Sequence, residues 1–135
     1  MQLTASYTPT KWDEKTYQLI SEKQKMTKAS VEMVFTGVME GKASVEWLMY
    51  YSDFDDKDMH KAVAQYTGLI RFEGNVEGKS GSFVMEDKGS YEAGEARSVS
   101  AIIPGSGTGE LKTISGAAKS FATPKSCSIE LDYSL

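Results

Sequence analysis

The chain has little of what many familiar chemistries require. Cys127 is the only cysteine among 135 residues, so no internal disulfide and no CxxC redox or zinc motif can form. His60 is the only histidine, which leaves a zinc site without further imidazole or thiolate ligands. A Ser-His-acid triad would depend on that one residue, and no G-x-S-x-G elbow accompanies it. Basic residues are outnumbered, 15 Lys and Arg against 19 Asp and Glu, for a net charge of -4. Such a balance argues against a phosphate-tracking nucleic-acid protein and against a polybasic membrane patch. No apolar run reaches the ~18 residues of a membrane-crossing helix. The opening "MQLTASYTPTKWDEK" has no signal-peptide core, so a cytoplasmic bacterial protein is expected. Length points to a single domain over residues 1–135.

What the chain does have is alternation. Val31, Met33 and Phe35 alternate with polar neighbours. So do Tyr66, Ile70 and Phe72, then Phe83 and Met85, then Ile129, Leu131 and Tyr133. Many such segments separated by glycine-containing turns predict antiparallel strands, at 3–9, 28–38, 42–52, 62–74, 79–88, 92–103, 116–123 and 126–134. Eight strands predict an all-β fold, a single closed antiparallel barrel of lipocalin or streptavidin type. Lys11 to Gln24 reads as a loop with a helical turn, and Thr108 to Ser115 as one short helical turn.

"FTGVMEGKA" (35–43) and "FEGNVEGKS" (72–80) repeat one pattern, which predicts two hairpins turning at Glu-Gly. If the turns match, the strand leaving the first buries Ser44, Glu46, Leu48 and Tyr50. That strand's own apolar pattern instead buries Val45, Trp47, Met49 and Tyr51. Both faces are thus largely apolar, and a homodimer or higher homo-oligomer is one natural cover for the outer one.

Two stretches invite chemistry and fail its tests. "PGSGTGEL" (104–111) lacks the third glycine of a dinucleotide fingerprint, since Glu110 or Lys112 stands there, and it is no P-loop. It is expected to turn a corner, with Leu111 and Ile114 plugging one barrel mouth. "DFDDKDMHK" (53–61) has Lys57 and Asp58 where an EF-hand needs an oxygen ligand and a glycine. A hydrated loop is expected there, with no metal and no cofactor.

Polar groups facing the interior are the remaining candidates. Asp87 shares the phase of Phe83 and Met85. Arg97 shares that of Val99, Ala101 and Ile103, Lys119 sits with Phe121, and Glu46 faces inward on one of its two phases. The competing expectation is that these charges lie near strand ends and reach water. A ligand cavity would be lined by Trp47 or Tyr50, Tyr66, Phe83, Arg97 and Tyr133.

The segments "KWDEKTY", "GKSGSFVMEDKGSY", "IIPGSGTGELKTISG" and "IELDY" resemble an uncharacterised family of small bacterial proteins of unknown function. That family's fold is similar to the allene oxide cyclase barrel. The resemblance spans the chain, implies an eight-stranded antiparallel barrel and implies no reaction. The family pattern has histidine at the position of Asp87 and an acidic residue at that of Ile70. Trp12 and Glu14 match its N-terminal pattern, which adds Glu14 to the catalytic candidates Glu46 and Asp87. Three functions stay open: binding of a small apolar or amphipathic molecule, a cofactor-independent isomerase or cyclase, and an oligomeric interaction protein.

Overall fold

The computed structural model describes residues 1–135. Its strands are β1 (Gln2–Leu19), β2 (Lys25–Gly37), β3 (Met39–Asp53), β4 (Val63–Val76), β5 (Lys79–Glu92), β6 (Glu95–Ile102), β7 (Thr108–Gly109), β8 (Ser115–Ala122) and β9 (Cys127–Ser134). A single 3-10 turn, Met59–Lys61, is the only helical element. Neighbours β4-β3-β2-β1-β9-β8-β6-β5 pair antiparallel, and the β4–β5 pairing closes them into a ring of eight. No helix is long and apolar enough to cross a membrane.

The ring is strongly staggered. A row of paired residues leaves β1 at Glu14, crosses Ala29, Trp47, Gly68, Asp87, Ser100, Ala118 and Leu131, and returns to β1 at Leu3. Closure with tilted strands requires such a stagger. Its consequence is that β9 covers only Gln2 to Ser6 of β1, so the rest of β1 overhangs with β2 as its one neighbour. This is why the expected loop at Lys11–Gln24 is instead strand as far as Leu19, with a turn after it. The overhang is flanked by solvent, so its residues carry little apolar signal. Register shifts at Pro9/Lys11 and Thr16/Gln18 blur the alternation further.

Two ends result. At one, the loop between β6 and β8 folds over the ring, and Leu111 and Ile114 are buried beneath it as expected. Phe35, Phe72 and Phe83 pack behind them, with ring centroids 5.5 and 5.3 Å apart along the series. No helix forms at 108–115. Thr108 and Gly109 pair with Ser82 and Gly81 of β5, and tight turns follow. The edge of β5 that β6 leaves bare decides this: Ser80 O accepts the Glu110 N–H at 2.8 Å, and Glu110 Oε1 accepts the Ser80 N–H at 3.2 Å. "PGSGTGEL" is therefore an edge cover, with Thr108 Oγ1 and Ser106 Oγ accepting the β5 amides of Ser82 and Val84.

Strand phase corrects three expectations. The first hairpin turns at Gly37–Val38 and the second at Glu77–Gly78, so the sequence repeat does not place its two turns alike. β3 consequently buries Val45, Trp47, Met49 and Tyr51, and Glu46, Leu48 and Tyr50 face out. On β6 the inward residues are Ser98, Ser100 and Ile102, which turns Val99, Ala101 and Arg97 outward. Lys119 also faces out, on a strand whose buried residue is Ala118.

Candidate functional site

At the other end the ring stays partly open. A cavity of about 290 Å³ enters between the β1 overhang, the β5–β6 turn and the β8–β9 turn, and runs down to Asp87. Its walls are mostly apolar, with Trp12, Phe35, Trp47, Tyr66 and Ile129 among them. Tyr7, Ser98, Ser120 and Cys127 add hydroxyls and a thiol.

Two glycines set this geometry. Gly68 lies between Trp47 and Asp87 in the paired row, so no side chain separates them. The Trp47 indole N–H crosses β4 and donates to Asp87 Oδ2 at 3.0 Å. From the next strand Ser100 Oγ donates to Oδ1 at 2.6 Å. Gly89, opposite Tyr66, gives its space to that phenol ring, which a Cβ at 89 would strike. Glycine inside a strand commonly marks such a close approach.

Asp87 is 2% exposed. Burial is costly for a carboxylate unless donors and charges compensate it, and here only donors do. Around it the phenols are held protonated. Burial pushes Tyr66 up to about 12, with the Asp87 charge adding and Ser98 partly offsetting. Burial drives Tyr7 up further still, helped by Cys127, Tyr66 and Asp87. Burial also raises the Cys127 thiol. The site thus offers one carboxylate as acceptor, several hydroxyl donors and an aromatic wall.

Of the residues expected from sequence, Trp47, Tyr66 and Asp87 meet in this cavity. Phe83 and Tyr133 do not line it: both are fully buried away from it, Tyr133 donating to Glu77 Oε1 at 2.5 Å. Arg97 lies outside the ring, 4.3 Å over the Phe121 ring and 3.5 Å from Glu95. Glu46 is outside as well, accepting from Ser30 Oγ at 2.7 and 2.9 Å. Glu14 sits on the overhang and holds three donors: Tyr51 O–H donates at 2.5 Å, Thr27 at 2.8 Å and the Trp12 indole at 3.0 Å. Trp12 connects the two carboxylates, its ring 5.7 Å from that of Trp47.

Along the whole ring, residues 3–133 match the family model described as "Protein of unknown function (DUF3224)". The chain belongs to the DUF3224 family. The crystal structure of a protein of unknown function from that family, from Shewanella oneidensis MR-1, superposes with a TM-score of 0.80. It shares 19% identity, and the match covers 100% of this chain and 97% of the other. At that identity the likeness carries the fold alone. No curated protein matches the chain.

Sequence reasoning missed Tyr7, Ser98 and Ser120 as lining residues, and Ser100 as a donor to Asp87. It also missed Gly68 and Gly89; Gly68 lies mid-strand between Thr67 and Leu69, with no turn chemistry beside it. That placement was the available signal. β6 can place small hydroxyls inward and a valine outward because the interior beside it holds space and a carboxylate rather than packed methyls.

Proposed function

We propose that this protein binds a small, mostly apolar molecule in the half-open interior, with Asp87 as the polar anchor. The observation that carries the reading is a cavity of about 290 Å³ with one buried carboxylate at its end and aromatic walls. Small-molecule sites combine apolar lining with few placed polar groups, at volumes from about 300 Å³ upward. A ligand held inside a closed antiparallel ring is also what likeness to an allene oxide cyclase barrel would mean here. Of the three candidate carboxylates only Asp87 meets the cavity, so the acid–base role in an isomerase or cyclase reading falls to Asp87 alone.

Both tryptophans line the cavity and report its occupancy. 2-Phenylethanol is expected to quench their fluorescence saturably. Ala96→Phe, which fills the cavity from β6, is expected to abolish that quenching. Equal saturation in the variant would sink the proposal, as would failure of 2-phenylethanol and of its ammonium and carboxylate analogues alike to saturate.

A second reading rests on the outer face. Leu48 and Leu69, each 51% exposed, lie diagonally across β3 and β4 with Tyr50 beside Leu48, a small apolar patch that a second copy would cover. Light scattering is expected to show a dimer or larger for the wild type and a monomer for Leu48→Asp. A monomeric wild type removes this reading.

A further inference from the structure

Resting on the cavity reading above, we propose that the ligand is an organic ammonium ion, an apolar body whose protonated amine pairs with Asp87. The cavity contains an anion that nothing in the protein balances. No Lys, Arg or His lines it. All four ion pairs of the chain lie at the surface, at Asp132, Asp58, Glu73 and Glu95. The two hydrogen bonds to Asp87 come from neutral donors, an indole and a hydroxyl. A carboxylate has about four acceptor positions, so roughly two remain for a ligand. Folding has already removed this group from water, which means an entering cation meets an anion whose desolvation is complete.

The walls fit the same class. Trp47, which donates to Asp87, packs at a tilt against Trp12 and Tyr66, with centroids 5.7 and 5.1 Å away. Three aromatic rings thus line the cavity that the carboxylate ends. Aromatic faces attract ammonium groups, tryptophan most strongly, and the attraction grows when water is excluded. Tyr66 and Tyr7 keep neutral hydroxyls there and add no competing negative charge at neutral pH. Glu14, the other carboxylate within reach of Trp12, makes a poor alternative. It already holds three donors, and Lys25 lies 5.1 Å from the centroid of its partner Tyr51. The net charge of -4 favours the approach of a cation.

Three probes with one apolar body separate charge from cavity: phenethylamine, 2-phenylethanol and phenylacetate, titrated into the intact protein at pH 7 by tryptophan fluorescence and calorimetry. The ammonium is expected to bind at least about tenfold tighter than the alcohol, because charge-assisted hydrogen bonds are about twice as strong as neutral ones. Phenylacetate is expected to bind weakest. Asp87→Asn keeps the side chain's shape and is expected to erase the preference for ammonium while retaining the alcohol. Equal affinity of alcohol and ammonium in the wild type, or a preference for phenylacetate, overturns the ammonium assignment and leaves the cavity reading standing. Failure of all three to bind overturns both. The wild-type ranking decides the matter even where Asp87→Asn fails to fold.

Discussion

Gly68→Ala is expected to destabilise the protein by about 3 kcal/mol, the upper end of what an overpacked interior costs. A Cβ at 68 would run into the backbone of β3, at the Glu46 carbonyl and the Trp47 Cα. Neither can rotate away, so the β3–β4 pairing itself must shift. The loss is expected as a lower urea midpoint at unchanged slope. Thr67→Ala, one residue along and facing out, is expected to stay within about 0.5 kcal/mol of the wild type. Gly89→Ala separates the two roles of these glycines. Its Cβ would meet the Tyr66 ring, a side chain that can move, so stability should fall less while the cavity changes shape. A Gly68→Ala protein as stable as the wild type would contradict the close approach of β4 to β3.

Stability is expected to fall by several kcal/mol between pH 10 and 12. Tyr66 and Tyr133 are pushed from 10 up to about 12, in each case first by burial. The Asp87 charge adds at Tyr66, and the hydrogen bond to Glu77 adds at Tyr133. Burial raises Tyr7 and Tyr51 further. An unfolded tyrosine releases its proton near pH 10, whereas these folded ones retain theirs. Above pH 10 the unfolded state therefore binds fewer protons, and stability must decline as pH rises. The contribution is fully present below pH 10 and is lost as pH rises toward the folded values. A two-unit shift corresponds to at most about 3 kcal/mol per tyrosine. Tyrosinate absorbance should show four of the seven tyrosines ionising together with unfolding. Titration of all seven near pH 10 with stability unchanged would contradict the burial of these phenols.

The ring itself was legible because most of its signal is local. Val31, Met33 and Phe35, or Ile129, Leu131 and Tyr133, alternate so regularly that both strand and face follow from period two. The corner at 104–111 and the burial of Leu111 and Ile114 were legible too. The helical turn read at 108–115 does not form, because Thr108 and Gly109 pair with the bare edge of β5. Three other features were not legible. The β1 overhang depends on the stagger of the closed ring, a property of all eight strands that no window of sequence contains. The phase of β3 was ambiguous because Leu48 and Tyr50 are as apolar as Val45 and Met49, and the repeat misled because its two turns form at different positions. On β6, apolar-in alternation selected Val99 and Ala101 over Ser98 and Ser100. That rule assumes a filled interior. It fails beside Asp87, where the Ser100 hydroxyl donates to a carboxylate and small residues leave space. The same choice wrongly carried Arg97 inward. Asp87, Trp47 and Tyr66 were each placed inside correctly on one phase of their strands, but their meeting depends on Gly68 and Gly89.

A ligand that enters the ring and rests beside Asp87 shields Cys127 from reagents in solution. Cys127 is the only cysteine, it lines the cavity, and it is the first residue of β9, directly after the β8–β9 turn. The measurement is the rate at which a small methanethiosulfonate reagent modifies Cys127, with and without phenethylamine. At ten times its dissociation constant the ligand should slow modification about tenfold, the ratio of total to unoccupied sites. An unchanged rate under saturating ligand would place any binding outside the ring and contradict the account.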